Sequence, residues 1–223
     1  MSRILYGAMR RYAYLHGFGS GPLSKKGVRL AGVFEQRGLV LERPDLNRPS
    51  FATLSPAASL AAIDALDAAK GQAATWCFIG SSIGGWLAAR WAEQHPDRVE
   101  RMVLLCPGFD LASRWPKIVG AARMERWKRD GTLLFPDADG RPVPVHYGFY
   151  EEGISLPQEP VVSCPTVILH AIHDEVVPVE VSRRYAAKHP NVRLREIDDD
   201  HSLMASVDIV IAETLECFSL TEA

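Results

Sequence analysis

Short apolar runs alternate with longer amphipathic stretches along most of the chain. The apolar runs predict buried β-strands at about 12–15, 39–41, 76–79, 99–105 and 165–170. Apolar residues at helical spacing predict helices at about 25–36, 57–70, 83–95 and 179–188. Because strands that alternate with helices form parallel sheets, we expect an α/β fold with a mostly parallel sheet and helices on both faces.

The C-terminal part of the chain predicts one more strand and one more helix. Residues 192–197 alternate between apolar and polar side chains, as a strand near the edge of a sheet does. His201 follows this strand and opens a final predicted helix that reaches about residue 218. The pattern therefore favours a single domain spanning residues 1–223.

Residues 108–160 interrupt the alternation, because they lie between two predicted strands and are far longer than a crossover needs. Helix-like spacing is visible only at about 113–130. The segment contains many aromatic residues, namely Trp115, Trp127, Phe135, Tyr147, Phe149 and Tyr150. We expect it to form a small cap over the C-terminal edge of the sheet, where ligands bind in such folds.

Composition and charge exclude several classes of function. The chain has 223 residues, of which 47% are hydrophobic and 23% charged, as in ordinary globular proteins. Its net charge of -2 gives no support to a nucleic-acid partner. No apolar run approaches the roughly 18 residues of a membrane span, and residues 1–11 lack the apolar core of a signal peptide. We therefore expect a cytoplasmic protein.

The four cysteines, Cys77, Cys106, Cys164 and Cys217, show no Cys-x-x-Cys spacing. A disulfide framework or a zinc site has no such pattern to support it. We expect four free, buried thiols in a reducing compartment, with no bound metal.

The most informative motif is Gly80-Ser81-Ser82-Ile83-Gly84, which joins a predicted strand to a predicted helix. In a nucleophile elbow, Gly-x-Ser-x-Gly places the serine on a sharp turn at the top of a sheet. Ser82 is framed by the two glycines and is the expected nucleophile, whereas Ser81 is expected to pack within the elbow.

A serine nucleophile needs a base and a group that orients the base. Downstream of Ser82, Asp174 and His201 each follow a predicted strand, in the order that the elbow motif requires. Since parallel strands end at one edge of a sheet, we expect the three side chains to meet there. Glu175 is an alternative acid, and residues 198–200 are either a solvated turn or, through Asp200, an influence on the pKa of the base.

The oxyanion formed during acyl transfer needs two N–H donors. The backbone of Ile83, which follows the nucleophile, is one candidate. The other is the N–H of Phe18 in the loop His16-Gly17-Phe18, where Gly17 allows the backbone to approach the substrate. His16 is expected to shape this loop rather than to act in catalysis.

These motifs together resemble the α/β-hydrolase superfamily. The matching pieces are 16–19, 80–84, 173–178 and 200–201, and residues 14–26 resemble the start of the small bacterial YqiA-type esterases. The resemblance covers nearly the whole chain. It implies a serine hydrolase, a carboxylesterase or thioesterase, that cleaves short acyl esters or thioesters through an acyl-serine intermediate without a cofactor.

The aromatic residues of the 108–160 segment have two readings. Trp115, Trp127 and Tyr147 form either the core of the cap or an apolar wall that binds the acyl group. Neither the natural substrate nor the oligomeric state follows from the sequence.

Other functions remain open at this point. A peptidase or a C–C hydrolase would use the same triad. A metal-dependent hydrolase would use His170, His173 and His201, since His-x-x-His-Asp is a plausible ligand spacing. A non-catalytic binding protein would normally lack a triad residue. For the serine hydrolase, we expect activity to rise with pH where histidine titrates, because the base must be neutral.

Overall fold

The computed structural model describes residues 9–71 and 74–221. The prediction that the chain has no signal peptide concerned residues 1–11, most of which lie outside the described residues. The strands, in chain order, are β1 (Met9–Leu15), β2 (Leu41–Glu42), β3 (Ala74–Ser81), β4 (Val99–Leu105), β5 (Thr132–Pro136), β6 (Pro142–His146), β7 (Thr166–Ala171) and β8 (Val192–Ile197). Six of them form a parallel sheet in the order β2-β1-β3-β4-β7-β8, and β5 and β6 form a separate antiparallel hairpin.

The helices are α1 (Lys25–Glu35), α2 (Pro56–Lys70), α3 (Ile83–Gln94), α4 (Leu111–Val119), α5 (Ala121–Asp130), α6 (Gly148–Ser155), α7 (Val179–Lys188) and α8 (Val207–Cys217), with a 3₁₀ turn at Pro96–Arg98. Leu30 of α1 and Val210 of α8 belong to one core cluster. Ile63 of α2, Trp91 of α3 and Val181 of α7 belong to another. The sheet is thus covered on both faces, and the predicted α/β architecture is confirmed.

The central strands are buried because both of their faces meet helices. In β3, all residues except Thr75 are buried, as the continuous apolar run predicts. The edge strands differ: β8 is buried only at its two ends, Val192 and Ile197, and β2 is only two residues long. The strand predicted at 39–41 is Leu41–Glu42 in the structure, and Val40, just before it, is 67% exposed.

The final helix begins at Val207 rather than at His201. The cause lies in the aspartates that precede His201. Asp199 Oδ2 accepts the N–H of Ser206 at 2.8 Å, and Asp200 Oδ1 accepts the N–H of Ser202 at 2.8 Å. Such local side-chain to backbone bonds compete with helix formation, so His201 stays in a loop.

The inserted segment (residues 108–160) contains α4, α5, the β5–β6 hairpin and α6. Trp115, Trp127, Phe135, Val145 and Phe149 are buried together in a third core cluster. The hairpin and α6 were not predicted, since prolines at 136, 142 and 144 argue against a strand. The three prolines are tolerated in this hairpin because a strand with a single partner needs only some of its N–H groups for pairing.

Two expectations from composition can be compared with the structure. All four cysteines are buried and free. Within the described part of the chain, none of the helices combines the length and the apolar character that crossing a bilayer requires.

Candidate active site

Ser82 lies between β3 and α3 on a strained backbone, with φ 54° and ψ −122°. Positive φ is rare for a residue with a side chain and marks a conformation that the surroundings impose. The neighbouring backbones come very close: a Cβ on Gly80 would lie 2.6 Å from the Gly84 carbonyl oxygen, and a Cβ on Gly84 would lie 2.2 Å from that of Leu15. Both positions therefore require glycine, and the turn has the geometry of a nucleophile elbow.

Three side chains meet at the carboxyl edge of the sheet. His201 Nε2 lies 3.1 Å from Ser82 Oγ, and His201 Nδ1 lies 2.6 Å from Asp174 Oδ2. Because a carboxylate only accepts hydrogen bonds, Nδ1 carries the proton and Nε2 is free to accept that of the serine. Ser82, Asp174 and His201 follow β3, β7 and β8, so the parallel topology brings together residues that are far apart in sequence.

Asp174 is buried and fully engaged. Its Oδ1 accepts the N–H groups of Val176 and Val177, each at 2.8 Å, and its side chain is 0% exposed. Burial alone would raise the pKa of Asp174, but hydrogen bonding to His170 and His201 outweighs burial and holds the pKa below its usual range. The carboxylate is therefore charged at neutral pH. Glu175, the alternative acid, is exposed.

The structure does not bring His170, His173 and His201 together as a metal site. His170 is fully buried, and its ring nitrogens lie 2.7 Å from Ser182 Oγ and 2.7 Å from the Val177 carbonyl oxygen. His173 has a side chain that is 67% exposed and pairs with Asp198 at 2.9 Å. The site offers a histidine for proton transfer rather than a three-histidine ligand set.

Another compact group of potential ligands, within the described ranges, is Cys106, His170 and Asp174, whose ligand atoms lie within 4.8 Å of one another. Burial raises the pKa of the Cys106 thiol, whose sulfur accepts the N–H of Ala171 at 3.4 Å. A protonated thiol and a histidine with both nitrogens engaged are poor ligands. Within this group, His170 instead hydrogen-bonds to the Asp174 carboxylate and helps to keep it charged.

The loop after β1 approaches the nucleophile closely. A Cβ on Gly17 would lie 3.2 Å from Ser82 Cβ. His16 is buried and fixes the loop: its Nε2 accepts the N–H of Leu46 at 3.0 Å, and its Nδ1 donates to the Gly17 carbonyl at 2.9 Å. Burial lowers the pKa of His16, in keeping with a neutral structural role. Phe18 follows in this loop.

Ile83 is the first residue of α3, so its N–H has no acceptor within the helix. The ring of Phe18 packs into the aromatic cluster of the inserted segment, with centroids 5.3 Å from Trp115, 5.3 Å from Phe135 and 5.2 Å from Phe149. Phe18 thus joins the loop after β1 to the inserted segment. The Phe18 and Ile83 amides lie on the two elements that flank Ser82.

Two spaces of different size lie near Ser82 and Ile83, beside a third, very small one of about 10 Å³. The larger, called here the catalytic cavity, has a volume of about 640 Å³ and is lined by Ser82, His201, Gly17, Phe18 and the 19–26 loop, with Ala138, Asp139, Ser202 and Met204 at its other walls. The smaller, called here the apolar crevice, has a volume of about 30 Å³ and is lined by Ile83, Gly108, Trp115, Phe149 and neighbouring side chains.

The four predicted substrate-binding residues are placed differently. Gly17 lines the catalytic cavity and Trp115 lines the apolar crevice. Trp127 is 0% exposed and donates its indole N–H to the Val145 carbonyl at 2.8 Å. Tyr147 packs on Trp127 and Tyr150. The structure therefore places Trp127 in the core of the inserted segment and the partly buried Tyr147 against that core, and neither lines the two spaces described above.

One residue of the catalytic cavity, Lys26, escaped the sequence analysis. It is only 9% exposed, and its Nζ donates to Ser81 Oγ at 3.1 Å. The helical pattern contained the signal, because Lys26 precedes the buried Leu30 and Phe34 at intervals of four and therefore shares their inward face. Ser81 consequently has a polar partner besides its packing within the elbow.

The sequence matches a known family and, more distantly, curated proteins. The model of the Uncharacterised protein family UPF0227 matches residues 11–210. The mitochondrial palmitoyl-protein thioesterase ABHD10 of Rattus norvegicus is 25% identical over 150 residues, which are 60% of this chain and 50% of the rat protein. The chain spans about half the length of the curated relatives it matches.

Solved structures resemble the whole fold. Mouse α/β hydrolase domain-containing protein 10 superposes with a TM-score of 0.74 at 19% identity, covering 93% of this chain and 89% of the mouse chain. Est1E from Butyrivibrio proteoclasticus gives a TM-score of 0.74 at 18% identity, covering 97% of this chain and 89% of Est1E. At these identities the likeness establishes the α/β-hydrolase fold.

Proposed function

Because the chain belongs to the UPF0227 family and has the α/β-hydrolase fold, we propose that it is a serine hydrolase that cleaves small acyl esters or thioesters. The observation that carries the proposal is the hydrogen-bonded relay of Ser82, His201 and Asp174. In this relay, His201 Nε2 lies 3.1 Å from Ser82 Oγ, and His201 Nδ1 lies 2.6 Å from Asp174 Oδ2. A hydroxyl, a base with the correct tautomer and a charged orienting group are what an acyl-serine mechanism requires.

In the first half of the reaction, Ser82 Oγ attacks the acyl carbonyl while His201 Nε2 takes the hydroxyl proton. The buried Asp174 carboxylate holds the imidazole in place and stabilises its positive charge. The N–H groups of Phe18 and Ile83 donate to the carbonyl oxygen as it becomes negative, an effect worth roughly 3 kcal/mol per donor in other acyl-transfer enzymes. The imidazolium then protonates the departing alcohol or thiol.

In the second half, a water molecule replaces the leaving group beside His201. His201 removes a proton from this water, which attacks the acyl carbonyl on Ser82, and the serine leaves with the proton that His201 returns. The carboxylic acid is released, and the side chains regain their starting protonation states. Apart from the substrate and this water molecule, these steps use only residues of the chain.

The volume of the apolar crevice favours a short acyl group. About 30 Å³ beside Ile83 and Gly108 admits only a few water-sized spheres. The curated relatives are named palmitoyl-protein thioesterases, whose acyl chain is much longer. A long chain would require the inserted segment to move, so we propose a preference for short chains, with this segment acting as the cap.

Activity assays with p-nitrophenyl esters of increasing chain length, together with an acyl-CoA thioester and an amino-acid amide, test this proposal. Acetate and butyrate esters should be hydrolysed faster than octanoate. A serine-directed fluorophosphonate should label the protein and abolish activity, whereas chelators should have no effect. Full activity in Ser82→Ala, or loss of activity to a chelator alone, would contradict the proposal.

Amide and C–C substrates remain the alternatives, since the same relay serves peptidases and C–C hydrolases. Preferential cleavage of the amide in this panel would move the assignment to a peptidase. We further propose a cytoplasmic location, supported by four reduced cysteines, although the curated relatives are named as mitochondrial.

A further inference from the structure

Lys26 is a buried cation that lacks a carboxylate partner. It lies in the first turn of α1, is 9% exposed, and donates to the neutral Ser81 Oγ at 3.1 Å. Within the described ranges, no aspartate or glutamate forms an ion pair with it. Some other basic side chains do form ion pairs, as in Arg193–Glu213 at 2.6 Å and Arg29–Asp208 at 2.7 Å.

A buried ammonium without a counter-ion is energetically unfavourable, and proteins normally keep such groups paired. Burial lowers the pKa of Lys26 and is the largest influence on it, while Cys106, Asp199, Asp200 and Asp174 act in the opposite direction. An anion in direct contact would remove this cost. The fold thus maintains a destabilising charge at a position where a ligand can neutralise it.

The space beside Lys26 is the catalytic cavity. Lys26 lines it together with Ser82 and His201, and Lys25 lines its exposed side. The first turn of α1 contains no acidic side chain, so the partial positive charge of this helix end adds to that of the two lysines. One carboxylate, Asp139, also lines the cavity, but it pairs with Arg141 at 3.1 Å and is 65% exposed.

The chemistry indicates which part of the substrate enters this cavity. His201 must protonate the leaving group, which therefore lies beside Nε2. His201 and its neighbour Ser202 line the catalytic cavity, whereas the apolar crevice lies beside Ile83 and Gly108. The acyl group thus fits the crevice and the leaving group fits the cavity.

We propose that the leaving group of the natural substrate carries an anionic group, a carboxylate or a phosphate, which the Lys26 ammonium binds. This inference rests on the proposed serine hydrolase function and extends it from the reaction to the class of substrate. Binding the anion neutralises the buried charge, and it holds the scissile bond at Ser82. A substrate without the anion lacks this contact but still meets the same triad.

Three acetyl esters of para-substituted phenols test the proposal. Methyl 4-acetoxybenzoate has a neutral leaving group, 4-acetoxybenzoate has a carboxylate, and 4-acetoxyphenyl phosphate has a phosphate. The kcat/KM of each is measured for the wild-type chain, Lys26→Gln and Lys26→Met. Comparing variants on the same ester cancels the intrinsic reactivity of each ester, and the two charged esters distinguish a carboxylate from a phosphate.

The two variants separate binding from positioning. Lys26→Gln keeps a donor for Ser81 and loses the charge, whereas Lys26→Met loses both. Lys128→Gln, on the exposed side of α5, controls for the loss of one positive charge. We expect both Lys26 variants to lose about tenfold more in kcat/KM on a charged ester than on the neutral ester, mainly through KM.

The outcomes are distinct. Equal losses on all three esters, or a loss in Lys26→Met alone, would mean that Lys26 only positions Ser81, and would overturn the inference. Hydrolysis of the neutral ester without any charge dependence would overturn the inference and leave the proposed function intact. If the wild type hydrolyses none of the three, the proposed function fails and the inference falls with it.

A measurement on the wild type alone gives an independent readout that does not depend on the folding of the variants. The charged product 4-hydroxybenzoate should inhibit hydrolysis of the neutral ester competitively, and more strongly than methyl 4-hydroxybenzoate does. Equal inhibition by the two phenols would contradict the inference.

Discussion

The carboxyl edge of the sheet and the inserted segment both contribute to the candidate site, but they are held in place by different forces. At the sheet edge, backbones are so close that a single Cβ on Gly84 would lie 2.2 Å from the Leu15 carbonyl oxygen. In the inserted segment, aromatic side chains provide the contacts, such as Trp115–Trp127 with centroids 5.7 Å apart.

This difference separates the requirements of chemistry from those of recognition. The catalytic atoms must be held within tenths of an ångström, and backbone packing achieves this because it leaves no alternative arrangement. A surface that recognises a substrate can be rebuilt by changing side chains. Phe18 belongs to both regions, because its N–H is the proposed oxyanion donor while its ring packs with Phe149 in the inserted segment.

The largest expected effect is on the sheet edge. Ser82→Ala removes the nucleophile while leaving the fold intact, so kcat should fall by about 10³-fold or more with little change in Tm. Ester hydrolysis and thermal unfolding measure the two quantities. Activity that survives with the wild-type pH profile would show that another residue attacks the substrate.

A matched pair of glycine substitutions tests the contrast in packing. Gly84→Ala should cost about 4 kcal/mol or more, because the new Cβ would overlap the Leu15 and His16 carbonyl oxygens. Gly148→Ala in α6 meets no heavy atom within 4 Å and should stabilise the protein by up to ~1 kcal/mol. Denaturant unfolding of both variants measures the difference. Equal effects would mean that the two regions are packed alike.

Phe18→Leu tests the residue that connects the regions. The backbone N–H remains, but the loop loses ring contacts with Trp115, Phe135 and Phe149, so we expect kcat to fall about tenfold as the oxyanion donor loses its fixed position. Phe51→Leu is the control. The Phe51 ring packs on the Phe18 ring with centroids 5.0 Å apart, but the backbone N–H of Phe51 is not a proposed oxyanion donor. A similar loss of kcat in both variants would assign the effect to general loosening.

The smallest expected effect concerns stability at Lys26. Lys26→Met removes a buried, unpaired charge, so Tm should rise at neutral pH by about 2–4 °C for each kcal/mol gained. Because burial lowers the pKa of Lys26 in the folded chain, the unfolded chain binds this proton more strongly. The loss of folding stability caused by the Lys26 charge is therefore complete at pH values below the pKa of Lys26 in the folded chain. This loss disappears as pH rises through the ordinary pKa of lysine, about 10.4.

The gain in Tm for Lys26→Met should accordingly shrink as pH rises towards that value. Thermal unfolding of the variant and the wild type over this range measures the change. A gain that is the same at every pH would show that better packing of methionine, and not the charge, causes the stabilisation.

Much of the sheet was predictable because its signals are local. The predicted strand at 99–105 and the predicted helix at 179–188 have the bounds that the structure shows. The two-residue β2 and the late start of α8 were not predictable in this way. They depend on the exposed position of Val40 at the sheet edge and on the hydrogen bonds of Asp199 and Asp200. The hydrophobic periodicity of the sequence contains no signal for either feature.

By itself, the sequence determined the order of strands and helices outside the inserted segment and the loops that hold Ser82, Asp174 and His201. It could do so because apolar periodicity reports burial and because parallel strands end at one edge. Only the tertiary structure decided that Trp127 is buried in the inserted segment with Tyr147 packed against it, and that Lys26 lines the catalytic cavity. These placements depend on contacts between segments that are far apart in the chain. A local sequence pattern does not contain the energies of such contacts.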